Sequence, residues 1–256
     1  MFQYKEPQFE KKRLLRIEML ELLKDYPRDY LKICYQGYCD GVLSGCRLSW
    51  DNGQITIAPG ILYHGEHLYF MRQPCTVECE AEDKVRYLKV QFLAEVQESG
   101  VVEGNTRIIL NDQAPDSSCE LELCRFRLQE GARLRDTHES FEDFATKFDT
   151  INLIYAPFAD ESEPTINPLI MKQYAKEILE SRSGDTYDAA FAMNVLSNRG
   201  MVPAECISAY VKVKTGRDAK GNETIYQCLG EILRMQRNGE VSRAGTGRNQ
   251  REILLL

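Results

Sequence analysis

Residues 41–71, GVLSGCRLSWDNGQITIAPGILYHGEHLYFM, constrain this chain more than any other stretch. Glycine or a Pro-Gly pair interrupts the stretch every few residues, and the segments between alternate apolar with polar, the period of a half-buried strand. Cys46, Leu48 and Trp50 alternate with Arg47 and Ser49, and Ile55 and Ile57 share one face of the next segment. Asp51-Asn52-Gly53 sits between them, and Asn and Gly tolerate the positive φ that a primed hairpin turn demands. Pro59-Gly60 makes a corner. Then 61–63 and 68–71 flank a second turn at His64-Gly65-Glu66. The spacing predicts two β-hairpins in tandem.

Further strands are expected after this module. Residues 75–80 alternate. Residues 85–98, VRYLKVQFLAEVQE, form the longest strand signal, with Leu88, Val90 and Phe92 on the core face. Another strand is expected at 106–110. In 120–129, ELELCRFRLQ, the apolar phase changes near Cys124, which predicts a bulge or bend there. Six or more short strands joined by hairpin links give an antiparallel sandwich or barrel.

Helical periodicity brackets this β-region. Residues 8–25 read as an amphipathic helix ended by Pro27, with a second short helix at 29–35. Two roles are open for the first helix, covering the β-module behind it or docking a partner, and covering is the simpler. From residue 167 the period changes from two to 3.6. Helices are expected at 169–180 with Asn167 as N-cap and Pro168 at the first position, then at 185–197, 203–214 and 223–237. The fold class is therefore α+β: an N-terminal helix, an antiparallel β-sandwich or barrel-like domain, and a small C-terminal helical domain. The expected division is 1–40, 41–155, a Pro-rich linker at 156–166, a helical domain at 167–238, and a flexible tail at 239–256 ending in Ile253-Leu254-Leu255-Leu256, which could dock on a neighbour.

The glycine pattern carries a resemblance. Gly41, Gly45, Gly53, Ile55, Ile57, Pro59, Gly60 and Gly65 match the hairpin-pair punctuation of β-modules in phage and prophage tail proteins, in baseplate and tail-fibre-attachment components. Over its length the chain resembles prophage tail-gene products of the kind sometimes labelled as DNA/RNA helicases. The resemblance implies a structural or adaptor role by protein–protein binding, to other tail, baseplate or fibre proteins and to further copies of itself. It also implies cytoplasmic assembly followed by residence in a phage-tail-like particle. It implies no catalytic, cofactor-binding or metal-binding residue.

The residues themselves were weighed for chemistry. A phosphate-cradling loop needs G-x-x-x-x-G-K-[ST], and the nearest string, 216–221, runs on into Asn222-Glu223, where an acid would repel phosphate. There is no G-x-S-x-G nucleophile elbow. Nine cysteines, with no secretory leader expected, read as reduced thiols, and Cys75 and Cys79 would lie about 13 Å apart on an extended strand, too far to share a zinc ion. His64 and His67 straddle a turn glycine and read as exposed turn residues. His138 lies near Glu139, Glu142 and Asp143, an acidic cluster that reads as a solvated turn anchored by Phe141 and Phe144. Glu120 and Glu122 share a strand face about 6.6 Å apart, a carboxylate pair of the kind a carbohydrate-active enzyme uses. A net charge of −7 argues against a nucleic-acid coat. Arg234, Arg237, Arg243, Arg248 and Arg251 nevertheless keep open a cytoplasmic nucleic-acid-binding or regulatory protein.

Overall fold

The structure, a computed structural model, describes residues 2–12, 14–98, 100–181 and 185–237 of the 256. One long helix, α1 (Ile17–Cys34), precedes eleven strands, and four helices close the described chain. The α+β class expected from the periodicities is the class observed.

The strands are β1 (Gly41–Gly45), β2 (Leu48–Asp51), β3 (Gln54–Ile57), β4 (Gly60–His64), β5 (His67–Met71), β6 (Cys75–Glu78), β7 (Val85–Phe92), β8 (Val96–Glu98), β9 (Val101–Glu103), β10 (Thr106–Asn111) and β11 (Glu120–Arg127). They form three three-stranded sheets, β1-β4-β5, β2-β3-β6 and β10-β7-β11, and one hairpin, β8-β9. All strand pairings are antiparallel. Asn52 and Gly53 take φ of +48° and +79°, the primed turn that the Asn-Gly pair predicts.

The glycine punctuation is steric at its centre. Gly45 pairs with Gly60 where β1 ends and β4 begins. A Cβ on Gly45, whose φ is +74°, would lie 2.1 Å from the Pro59 carbonyl oxygen. A Cβ on Gly60 would lie 2.4 Å from Cys46 Sγ. Main chain crosses main chain here, so neither position has room for a side chain.

Several expectations need correction. β1 lies in a segment, GVLSG, with no clear alternation. The strand expected over 85–98 stops at Phe92, because its partner β10 begins at Thr106, the residue paired with Phe92. Residues 96–98 instead belong to the β8-β9 hairpin. The predicted bulge on β11 is present, between Glu122 and Cys124.

The four C-terminal helices are α2 (Pro168–Glu180), α3 (Thr186–Ser197), α4 (Ala204–Thr215) and α5 (Asn222–Arg237). The Asn167 side chain caps α2, and the Asp185 side chain caps α3. Gly216 ends α4 in the left-handed conformation. The buried hydrophobic residues form one continuous cluster, running from Val42 and Ile55 in the sheets to Ile232 and Leu233 in α5.

Residues 131–166 stitch sheets to helices. A 3-10 turn at Phe141–Ala145 buries Phe141 and Phe144, and Phe141 stacks on Tyr226 of α5 at 4.5 Å. The stretch 156–166 buries Ala156, Ala159 and Ile166, and Phe158 bridges both Val42 and Thr165. The tail beyond Arg237, with its apolar tip, lies outside the described residues.

Candidate interaction surface

Of the residues weighed for chemistry, most are held in ion pairs or hydrogen bonds. Glu120 accepts from Lys89 Nζ at 2.7 Å, and this hydrogen bond holds its carboxyl below the usual range. Glu122 takes a bidentate pair from Arg125, both contacts at 2.7 Å. The two carboxylates on one strand therefore serve two separate cations and do not act as a pair. Lys89 itself is buried, though the strand pattern placed it on the wet face.

Two of the three histidines, His64 and His138, sit deeper than turn residues usually do. His64 is wedged between Asp40, at 2.7 Å, and the ring of Phe92, stacked at 3.7 Å. This corrects the exposed-turn reading for His64. His67 is exposed and lies 3.8 Å from Glu95. His138 stacks on Phe144 at 3.9 Å and donates from Nε2 to the Ile151 carbonyl at 2.7 Å. Burial lowers its pKa from the ordinary 6.5. Of the acidic cluster, Asp143 completes a capping box with Ser140 and meets Arg135 at 3.3 Å, and Glu142 lies 3.6 Å from Arg237 and 4.0 Å from Arg234. Glu139 is exposed; its backbone N–H donates to Asp143 and its carbonyl accepts from Gln173. Arg243, Arg248 and Arg251 lie outside the described residues.

Among the described residues, no group of three or more His, Cys, Asp or Glu side chains is placed to hold a metal ion. No helix among them is long and apolar enough to cross a membrane. All nine cysteines are free thiols. Burial raises Cys46 to about 11, which keeps its thiol neutral and unreactive. Cys46 lines a cleft of about 620 Å³ between β5 and β10, with Tyr69, Met71, Gly104 and Ile108.

A buried polar network, which residue patterns did not reveal, joins the C-terminal helices. The Tyr174 and Tyr210 hydroxyls meet at 2.7 Å, and Tyr210 donates to Asp188 at 2.8 Å. Lys214 donates to Asp188 at 2.9 Å and to Asp185 at 2.6 Å, and Gln236 also donates to Asp188. Residues of α2, α3, α4 and α5 thus share one set of hydrogen bonds. Asp188 is fully buried at the centre of the set, and the shared bonds fix the helices relative to one another.

What remains open is α1. It has 18 residues and none is buried. Ile17, Leu20, Leu23, Tyr26, Tyr30 and Ile33 are each about half or more exposed. At 100° per residue its apolar side chains from Met19 onward fill an arc about 180° wide, and the charged ones, with Ile17 among them, fill the rest. The reading that this helix covers the β-module is overturned: its apolar face lies open. Two bounds also change. Lys12 has φ +72°, which stops helix growth there, and the helix begins at Ile17. Pro27 removes one N–H but does not end the helix, which continues to Cys34.

The base of α1 is held firmly. Cys39 N–H donates to the Asp160 carbonyl at 3.0 Å, and Ser162 N–H donates to the Gly37 carbonyl at 2.9 Å. The Tyr63 hydroxyl donates to the Tyr35 carbonyl at 3.1 Å, inside a cluster of Tyr35, Tyr38 and Tyr63 rings. Near the same end, Lys32 lies 3.3 Å from Glu66 in the β4–β5 turn.

No known family model matches the chain, and no curated protein is similar to it. Solved structures similar to the chain include two at low identity. The crystal structure of TssK is 11% identical with a TM-score of 0.41, over 93% of this chain and 72% of that one. A chain of the TssK-TssF-TssG baseplate subcomplex of the type VI secretion system, seen by cryo-electron microscopy, is 8% identical with a TM-score of 0.39, over 91% of this chain and all of that one. At these scores neither likeness bears on what this chain does.

Proposed function

We propose that this protein is a structural adaptor of a phage-tail-like assembly, a baseplate or fibre-attachment component that acts by binding other proteins and not by catalysis. The observation that carries the reading is α1, a helix of 18 residues with an open apolar face on a firmly held base. An apolar patch of that extent on a folded chain marks a surface that a partner covers. The glycine-punctuated module of 41–71 adds the resemblance to tail β-modules. Of the acids considered for acid–base work, Glu120 is paired with Lys89 and Glu122 with Arg125, while Glu139 is exposed.

The partners in this reading are tail, baseplate or fibre proteins, met in the cytoplasm before the particle is complete. The test is mass spectrometry on purified phage-tail-like particles from the native host, with the free pool as control. The expected result is enrichment in particles at a fixed ratio to the tube protein. A protein found in the free pool and missing from particles would overturn the assignment.

A further inference from the structure

The apolar arc of α1 has a seam. Met19, Leu23, Tyr26, Tyr30 and Ile33 follow one another at steps of four, three, four and three, the heptad spacing that lets helices pack along a shared line. Leu20 and Leu22 flank that seam on opposite sides, so the apolar arc is wider than one neighbouring helix covers. A helix of this kind wants a neighbour on each side.

The charges bordering the arc say which neighbour. On the helical wheel Asp29 and Glu18 lie beside Leu22 at one edge of the arc with Asp25 behind them, Lys24 lies beside Leu31 at the other edge with Arg28 behind it, and Glu21 and Lys32 fill the far side. When two copies of such a helix pack antiparallel about a twofold axis, like borders meet: acid against acid, base against base. When copies pack parallel around a rotation axis, each acidic border meets the basic border of the next copy. Within one chain these charges make only exposed contacts, Arg28 with Asp25 and Asp29 at 2.9 Å and Lys24 with Asp25 at 3.4 Å. Exposed pairs of this kind contribute little, so exchanging them for contacts between copies costs little.

We infer that α1 is a self-association helix: more than two copies of this chain join through it in a parallel, cyclic bundle. The contact is heterologous, with one face of each copy meeting a different face of the next, and the rotation closes the ring. This inference rests on the same open face of α1 as the assembly reading and names further copies of the chain as what covers it. Loss of self-association with particles still enriched, or the reverse, separates the two.

The experiment uses the full chain in sedimentation velocity, with circular dichroism as the folding control. Wild-type protein is expected to sediment as a species larger than a dimer at micromolar concentration. Leu23→Asp with Tyr30→Asp, both at exposed positions, is expected to give a folded monomer, the dissociation constant rising at least about 100-fold. Reversing one border, Lys24→Glu with Arg28→Glu, is expected to weaken association about tenfold, and reversing both, with Asp25→Lys and Asp29→Lys added, to restore it. Cys34, exposed near the end of the seam, supplies a native probe of direction. In parallel copies the Cys34 thiols lie at one height, so mild oxidation is expected to link wild-type chains in pairs and Cys34→Ser to prevent it. A monomeric wild type at about 100 μM would overturn self-association. Oligomers unchanged by Leu23→Asp with Tyr30→Asp would move the interface away from α1. Failure of the double-border reversal to restore association would overturn the parallel arrangement.

Discussion

Helices α1 and α5 carry the same kind of sequence and meet opposite ends. Each has one apolar and one charged side. α5 buries Ile225, Tyr226, Cys228, Leu229, Gly230, Ile232 and Leu233 against the body of the protein. α1 buries nothing. The difference lies outside the helices. α5 enters beside strands and helices that leave a space for it, and Tyr226 of α5 donates its hydroxyl to the Phe141 carbonyl. α1 comes before the first strand and leaves the body at its base. Amphipathicity states that a face is to be covered; it does not state by what. Where the covering is in the chain, the helix is part of the core. Where it is not, the face stays open.

Substitutions sharpen that contrast, and the largest effect is expected in the polar core beneath α5. Lys214→Met leaves Asp188 buried without its cation. Unfolding in urea is expected to register a loss of about 3–5 kcal/mol. A loss under 1 kcal/mol would show that Tyr210 and Gln236 hold Asp188 without Lys214. Next, Leu229→Ala opens a cavity under α5, with an expected cost of about 2–5 kcal/mol by the same measurement. The matched change on α1, Leu20→Ala, is expected to lower the unfolding free energy of the monomer by about 0.5 kcal/mol or less. Equal costs at Leu229 and Leu20 would break the comparison, since they would mean that α1 is packed after all.

Acid titration gives a subtler contrast. Burial disfavours the charged imidazole of His138, so its pKa in the folded protein lies below 6.5. The unfolded chain then binds the proton more readily, and stability rises with pH through that interval. The contribution is fully present above 6.5 and is lost as pH falls from 6.5 through the folded value. Urea midpoints are expected to drop between about pH 7 and pH 5 more steeply in wild type than in His138→Gln. Parallel slopes would remove the effect from His138.

What was legible in the sequence was whatever a local pattern dictates. Asn52-Gly53 needs positive φ, Asn167 and Asp185 offer side chains to the first helical N–H groups, and the phase change at Cys124 calls for a bulge or a bend, of which the bulge is present. What escaped depends on partners distant in the chain. Strand β7 ends where β10 runs out, although 85–98 alternates without a break. Lys89 lies on the wet phase of its strand and is buried because Glu120 and the Gln113 carbonyl meet it there. The set of Tyr174, Tyr210, Asp188 and Lys214 is drawn from three helices, and no spacing rule links them. The open side of α1 was the harder case, because an amphipathic helix reads alike whether its cover belongs to the same chain or to another.

The pinned base of α1 makes the helix a lever. Eighteen residues at about 1.5 Å each place its free end about 27 Å from the tyrosine cluster that grips it. A turn of about ten degrees at Tyr35 and Tyr38 would swing that end by about 5 Å, close to one helical pitch. A partner seated on α1 would therefore feel the three tyrosine rings at its base as the fulcrum that fixes the angle between itself and the rest of this protein.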